Sequence, residues 1–223
     1  MAPPLDGPRL PPAAGGGAKQ LVVFLHGYGA DGNDLISLGR EWAELLPDAA
    51  FVSPHAPEAC AMSPTGRQWF DLSLDDMRMI AGGVKRAAPV LECFLDVELK
   101  KLGLGSRALG LVGFSQGTMI ALAVGLKRNP APAAIVGYSG ALATVEALPK
   151  DPGSAPAILL VHGDMDQVIP VGALFLAREQ LAQAGLPVEW HVSEGIGHGI
   201  DGEGLRHGGA FLRRAFAAQL TKS

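Results

Sequence analysis

The segment "GFSQG", residues 113–117, sets Ser115 between two glycines, at the end of the apolar run "RALGLVGF" and just before "TMIALAVGLKRN". A strand, a tight turn and a helix in that order form the setting in which a serine oxygen stands clear of the sheet, because flanking glycines let the chain turn sharply. A hydroxyl is a poor nucleophile until a base takes its proton, so this setting calls for a histidine and an acid to orient it. Both follow, each beyond a later apolar run. "PAILLV" leads into "HGDMDQVIP" with Asp164 and Asp166, and "VEWHV" leads through "SEGIGHGI" to His198. Spacing does not separate Asp164 from Asp166 as the acid. A plain capping serine is the rival reading of Ser115, and the ordered acid and histidine weigh against it.

The other candidates are weaker. Ser139 in "GYSGA" also follows a strand, but it lacks the second glycine in register and reads as a loop or capping serine. His26 and His162 each precede a glycine at a strand end, where a structural hydrogen bond to a neighbouring loop is the expected role. His55 lies in a Pro-rich loop, His191 within a strand and His207 at the start of the last helix. No pair has the H-E-x-x-H spacing of a helix-borne zinc site, and no metal is expected. Cys60 and Cys93 are too few for a disulfide framework and are assigned no role.

The loop "HGYGADG", 26–32, fits the glycine fingerprint of a dinucleotide-binding turn through its "GYGADG" portion. A nicotinamide-dependent oxidoreductase would also need an acid near the tip of the second strand to hold the ribose. That strand ends "FVSPHAP", and Asp48 and Glu58 lie outside it. A non-catalytic binding module on the same fold is the other reading from a different class.

These residues need elements to position them. Short apolar runs at 20–25, 50–53, 107–113, 133–138, 156–161 and 187–192 read as strands, and helices are expected at 34–46, 89–102, 116–128, 171–184 and 205–219. In the second helix Leu91, Phe94, Leu95, Leu99 and Leu102 share one face, while Pro89 should interrupt any extension back to Val84. Such alternation implies a mostly parallel sheet with helices on both faces, and polar residues at the carboxyl ends of its strands then carry the chemistry. Two stretches stand outside the pattern. Residues 1–18, rich in Pro and Gly, read as a flexible arm ahead of a single domain, 19–223. Residues 53–83 read as a long functional loop in which Trp69 and Phe70 wall a pocket.

At 223 residues, 48% of them hydrophobic, the chain suits one α/β core. A formal net charge of -4 without a Lys/Arg stripe gives no reason to expect a nucleic-acid partner. No apolar run spans a bilayer and no signal-like start is evident, so no stable membrane insertion and a cytoplasmic location are expected. The oligomeric state stays open, a homodimer included.

In order and separation, "FLHGYGADGND", "RQWFD", "GFSQGTMIAL", "HGDMDQVIP" and "GIGHGI" resemble the phospholipase/carboxylesterase family of α/β-hydrolases, over about residues 20–217. The resemblance implies a compact α/β-hydrolase fold without a large inserted cap, a triad of Ser115, Asp166 and His198, and no cofactor. It also implies an oxyanion hole from the backbone amides of Tyr28 and Gln116. Gln167 stands where a proline often follows the acid. The expected activity is that of a serine hydrolase acting on short to medium acyl esters, with acyl-protein thioesterase or lysophospholipase as the alternative. Met62, Trp69 and Phe70 are the candidate substrate-binding side chains, though each reads equally well as core.

Overall fold

A computed structural model describes residues 5–72, 77–143 and 155–220. Residues 1–4 of the expected arm and 73–76 of the expected loop lie outside them. Seven strands form one sheet in the order β1-β3-β2-β6-β7-β8-β9. They are β1 (Arg9–Leu10), β2 (Gln20–Leu25), β3 (Ala49–Val52), β6 (Leu109–Phe114), β7 (Ala134–Tyr138), β8 (Ala157–Gly163) and β9 (Val188–Ser193). All pairings are parallel except that of β1 with β3. A separate hairpin pairs β4 (Glu58–Ala59) with β5 (Arg67–Gln68).

Side-chain alternation divides the core into two layers. In β2, Leu21, Val23 and Leu25 face one hydrophobic cluster, and Val22 and Phe24 face the other. Helices α2 (Met77–Leu102), α3 (Gln116–Gly125) and α4 (Gly172–Gln183) supply the first cluster, through residues such as Leu91, Ile120 and Leu174. Helices α1 (Gly32–Glu41) and α5 (Gly202–Leu220) supply the second, through Leu35 and Ile36 and through Phe211, Leu212 and Phe216. Every residue of α3 is buried. This central helix, apolar nearly all round, is the one that begins directly after Ser115.

Two expectations need correction. First, α2 runs through Pro89 instead of starting there. Ile80, Val84, Ala87, Leu91 and Leu95 are all under 5% exposed and continue one apolar stripe across the proline, so burial outweighs the lost hydrogen bond. Pro89 itself is exposed, as is Lys85 four residues earlier, where the carbonyl freed by the proline can meet water. The helix thus takes the last part of the expected loop, and Gly83 lets it lie against Phe70, whose ring would be 2.7 Å from any added methyl.

Second, the Pro/Gly-rich segment contributes the edge strand β1, with Arg9 and Leu10 in register with Val52 and Phe51. Arg9 forks onto Glu98 of α2, with Nε 3.3 Å from Oε2 and Nη2 3.1 Å from Oε1. Burial would raise the Glu98 pKa, but hydrogen bonds from Arg9 and Lys101 outweigh it and hold the carboxyl below its usual range. Arg9→Ala leaves a 5%-exposed carboxylate with Lys101 as its remaining cation. Because Arg9 is itself part-exposed, the expected loss is about 1–2 kcal/mol, roughly 2–8 °C in Tm for a chain of this size. Since the folded pKa is depressed, that difference from wild type should be full at neutral pH and vanish as pH falls through the Glu98 titration. Thermal melts of both proteins at neutral and acid pH are the check.

Candidate active site

The turn between β6 and α3 carries Ser115 at φ 54° and ψ -118°, in the left-handed half of the map that non-glycine residues rarely occupy. It exists because its neighbours have no side chains. A methyl on Gly113 would run into the backbone of Gly117 and Thr118, and one on Gly117 into the carbonyl oxygen of Leu25. Ser115 N donates to Tyr138 O at 2.9 Å, and the Thr118 hydroxyl sits 2.8 Å from Gly113 O and 2.9 Å from Tyr138 O. The serine oxygen is thereby aimed out of the turn.

His198 Nε2 lies 3.0 Å from Ser115 Oγ, and His198 Nδ1 lies 2.8 Å from Asp166 Oδ2. Of the two aspartates that spacing left open, Asp166 meets the imidazole. Asp164 Oδ1 instead accepts from Gly195 N at 2.7 Å, tying down the loop that carries His198. Asp166 Oδ1 accepts from the amides of Val168 and Ile169, both at 2.9 Å. Burial alone would raise the Asp166 pKa, but the bond to His198 and these two amides outweigh it and hold the carboxyl below its ordinary value. An ionised carboxylate beside Nδ1 fixes the proton there, which leaves Nε2 as the base facing the serine.

Three further residues fix this geometry; the sequence reading assigns His162 a structural hydrogen bond to a loop and Ser139 a loop role, but does not single out Phe114. His162 Nε2 is 2.7 Å from Ile169 O and 3.2 Å from Asp166 Oδ2, so a proton on that nitrogen serves both oxygens. Ser139 is fully buried, and its hydroxyl donates to Gly199 O beside the imidazole at 3.2 Å. Its reading as a loop serine agrees with that placement. Phe114 packs on the His198 ring with centroids 5.0 Å apart.

The first loop meets the same turn. A methyl on Gly27 would sit 3.3 Å from Ser115 Cβ, which places the following Tyr28 beside the serine. Among the described residues, loop and cap backbone bonds engage neither the Tyr28 nor the Gln116 amide, whereas Gly29 N donates to Arg67 O and Ala30 N to Gly27 O. His26 is buried and structural, as expected. Its Nδ1 is 2.8 Å from Gly27 O, its Nε2 accepts from Ala56 N at 3.0 Å, and burial lowers its pKa, so the ring stays neutral. At the far end of the loop, His55 Nδ1 accepts from Gly32 N and the Asp31 carboxylate from Asn33 N.

The expected substrate wall is placed differently. Trp69 and Phe70 are each 1% exposed and belong to the core. Trp69 Nε1 donates to His26 O, and the Gln116 side chain bridges Trp69 N and Phe70 O, at 2.8 Å each. They hold the two loops together from behind. Met62 is 82% exposed. Met165 and Val168, on either side of Asp166 in the chain, are also exposed apolar residues that sequence reasoning did not single out.

Comparison with known proteins places this geometry in a family. Residues 13–215 match the family described as Phospholipase/Carboxylesterase. The chain belongs to that family of α/β-hydrolases, and with it to the carboxylic ester hydrolases. It is 32% identical over 195 residues to Esterase YpfH of Escherichia coli (strain K12), covering 85% of this chain and 80% of that relative. Acyl-protein thioesterase 1 of Gibberella zeae is 27% identical over 210 residues, covering 86% of this chain and 89% of the other. The crystal structure of esterase PE8 superposes with a TM-score of 0.87 at 42% identity, over 95% of this chain and 99% of that one. The glycines on either side of Ser115 in this chain are a packing requirement. Gly117→Ala adds a better helix former by about 1 kcal/mol, but its methyl meets the Leu25 carbonyl oxygen. A net loss of about 1–3 kcal/mol is expected from overpacking, read as a lower urea midpoint; an unchanged midpoint would show that the start of α3 does not pack this tightly against the end of β2.

Proposed function

We propose that this chain is a serine carboxylesterase acting on short to medium acyl esters through an acyl-enzyme. The observation that carries the reading is the Ser115–His198–Asp166 chain of hydrogen bonds, 3.0 and 2.8 Å long, set on a strained turn. In the proposed reaction, His198 Nε2 takes the hydroxyl proton as Ser115 Oγ bonds to the ester carbonyl carbon. Asp166 orients the ring and stabilises the imidazolium, and the amides of Tyr28 and Gln116 donate to the developing oxyanion. The C–O bond to the alcohol breaks as that oxygen takes the proton from His198. Water, deprotonated by the same nitrogen, then attacks the acyl carbon and releases Ser115. No step calls on a cofactor. Met165 and Val168, at 59% and 50% exposure, supply apolar surface next to Asp166 for the acyl or alcohol group.

A second reading, hydrolysis of thioesters or lysophospholipids, has the likeness to an acyl-protein thioesterase in its favour. A p-nitrophenyl ester series from acetate to palmitate, run beside an acyl thioester and a lysophospholipid, separates the two. The expected peak in kcat/KM lies at short to medium chains, and a peak at the thioester or at long-chain lysophospholipid overturns the preference.

Ser115→Ala should remove turnover by a factor on the order of 10³ or more and abolish labelling by a fluorophosphonate probe, with Tm nearly unchanged; retained turnover would sink the assignment.

The pH profile follows from Asp166. Its pKa is depressed below the ordinary carboxylate value, so it stays ionised at neutral pH, and kcat/KM should lose the Asp166 contribution only as pH falls below the usual carboxylate range. Asp166→Asn should cost on the order of 10⁴ in kcat, because Nδ1 then loses its acceptor.

A further inference from the structure

Away from Ser115, β9 and α5 bring a second set of polar side chains together. Glu203 and His207 stand four residues apart and so share one face of α5, and His191 of β9 meets them there. Glu203 Oε1 is 4.0 Å from His191 Nε2 and 3.8 Å from His207 Nε2, and the ligand atoms of all three lie within 4.8 Å of one another. The two imidazole rings are 4.3 Å apart at 32°. Among the described residues His191 Nε2, a buried atom, has no hydrogen-bond partner. A buried ring nitrogen left without a partner is costly, and a cation at the centre of the three groups would satisfy it.

We propose that His191, Glu203 and His207 form a binding site for a borderline transition-metal dication, with Zn²⁺ as its representative. Two imidazole nitrogens and a carboxylate oxygen are the donor set such ions take, in preference to the all-oxygen set of Mg²⁺ or Ca²⁺. Donors at zinc distances in a tetrahedral array sit roughly 3.3–3.4 Å apart, so the pairs of the cluster must close by between about 0.4 and 1.5 Å. The Glu203 and His207 side chains, 56% and 50% exposed, are free to make that adjustment around the more enclosed His191, at 19%. Their exposure also leaves a coordination position for water.

The placement gives the site a consequence. Residues 194–201, with His198, form the loop between β9 and α5, and Ser193 Oγ donates to Asp201 Oδ1 at 2.7 Å across its base. An ion held by His191 on one side and by Glu203 and His207 on the other would cross-link the two ends of this loop again. Two neighbouring charges are engaged elsewhere: Arg214 pairs with Glu189 at 2.6 Å, and Asp201 also accepts the Gly204 amide at 3.0 Å. The site is structural, and the ester chemistry proceeds without it. Its sequence signature is Glu203 and His207 at helical spacing with a histidine from a preceding strand, a pattern that a search for H-E-x-x-H does not find.

The test is calorimetric titration of the EDTA-treated full chain with ZnCl₂, with thermal melts in parallel. Wild type and Ser115→Ala should bind one ion with micromolar affinity and melt higher when loaded. His207→Ala and Glu203→Ala, both at exposed positions, should bind at least ten-fold more weakly and lose the increase in Tm. Equal affinity in wild type and both variants would put the ion elsewhere and overturn the proposal. So would the absence of both heat and Tm shift at millimolar Zn²⁺, which would leave the cluster as an ordinary histidine–glutamate ion-pair network.

Discussion

The positive φ of Ser115 is the constraint on which the rest of the molecule turns. A non-glycine residue held there costs on the order of 1–3 kcal/mol, so the turn persists only because its surroundings permit no other path. Gly113, Gly117 and Gly140 each bring backbone or Thr118 atoms to where a methyl would be, and the helix that follows is buried on every side. Relaxing the serine would require α3 to leave the carbonyl of Leu25 and the strand end at Tyr138. The fold spends core packing to keep one hydroxyl aimed outward.

The imidazole is placed by a different means. Its loop has little apolar content to bury, and it is fixed instead by three polar bonds from the turns that follow β7 and β8. Ser139 Oγ holds Gly199 O, Asp164 holds Gly195 N, and Met165 N donates to Ile196 O at 2.9 Å. Each bond is worth about 1 kcal/mol, so the arrangement rests on their number. The Asp166 carboxylate draws on the same economy, since two backbone amides and two histidine nitrogens surround its oxygens. A buried carboxylate so supplied stays charged, and the imidazole is held in one orientation.

Much of this was legible in the chain itself. The strand runs are short, apolar and β-branched, with elements on both sides, so the parallel sheet and its strand ends followed from periodicity. Ser115 and His198 followed from their places at those ends. What was not legible depends on partners distant in sequence. Pro89 looked like a helix boundary because the stripe that carries α2 across it shows its weight only once Ile80 and Leu91 are packed together. Trp69 and Phe70 looked like a pocket wall because nothing nearby announces that a glutamine 46 or 47 positions later bonds their backbone. Arg9 looked like part of an arm because Glu98 lies 89 residues away. Asp164 and Asp166 differ only in which way their turn points them, which local spacing does not encode.

The glycine loop shows why a motif needs its surroundings before it names a ligand. A dinucleotide site would use the free amides at the start of α1 to hold a pyrophosphate. Here that helix end is already satisfied from within. The Asp31 carboxylate takes the amide of Asn33, His55 Nδ1 takes that of Gly32, and Gly32 itself abuts the carbonyl of Ser53 so closely that no anion could enter between them. Asp31 also sets a negative charge where a phosphate would have to lie. Among the described residues, loop and cap backbone bonds leave the Tyr28 amide, next to Gly27, unengaged. In the proposed reaction, the anion that this amide would meet is one made in place from a carbonyl held against Ser115. The same glycines that suggest a phosphate cradle thus favour a transient oxyanion once the helix end behind them is filled.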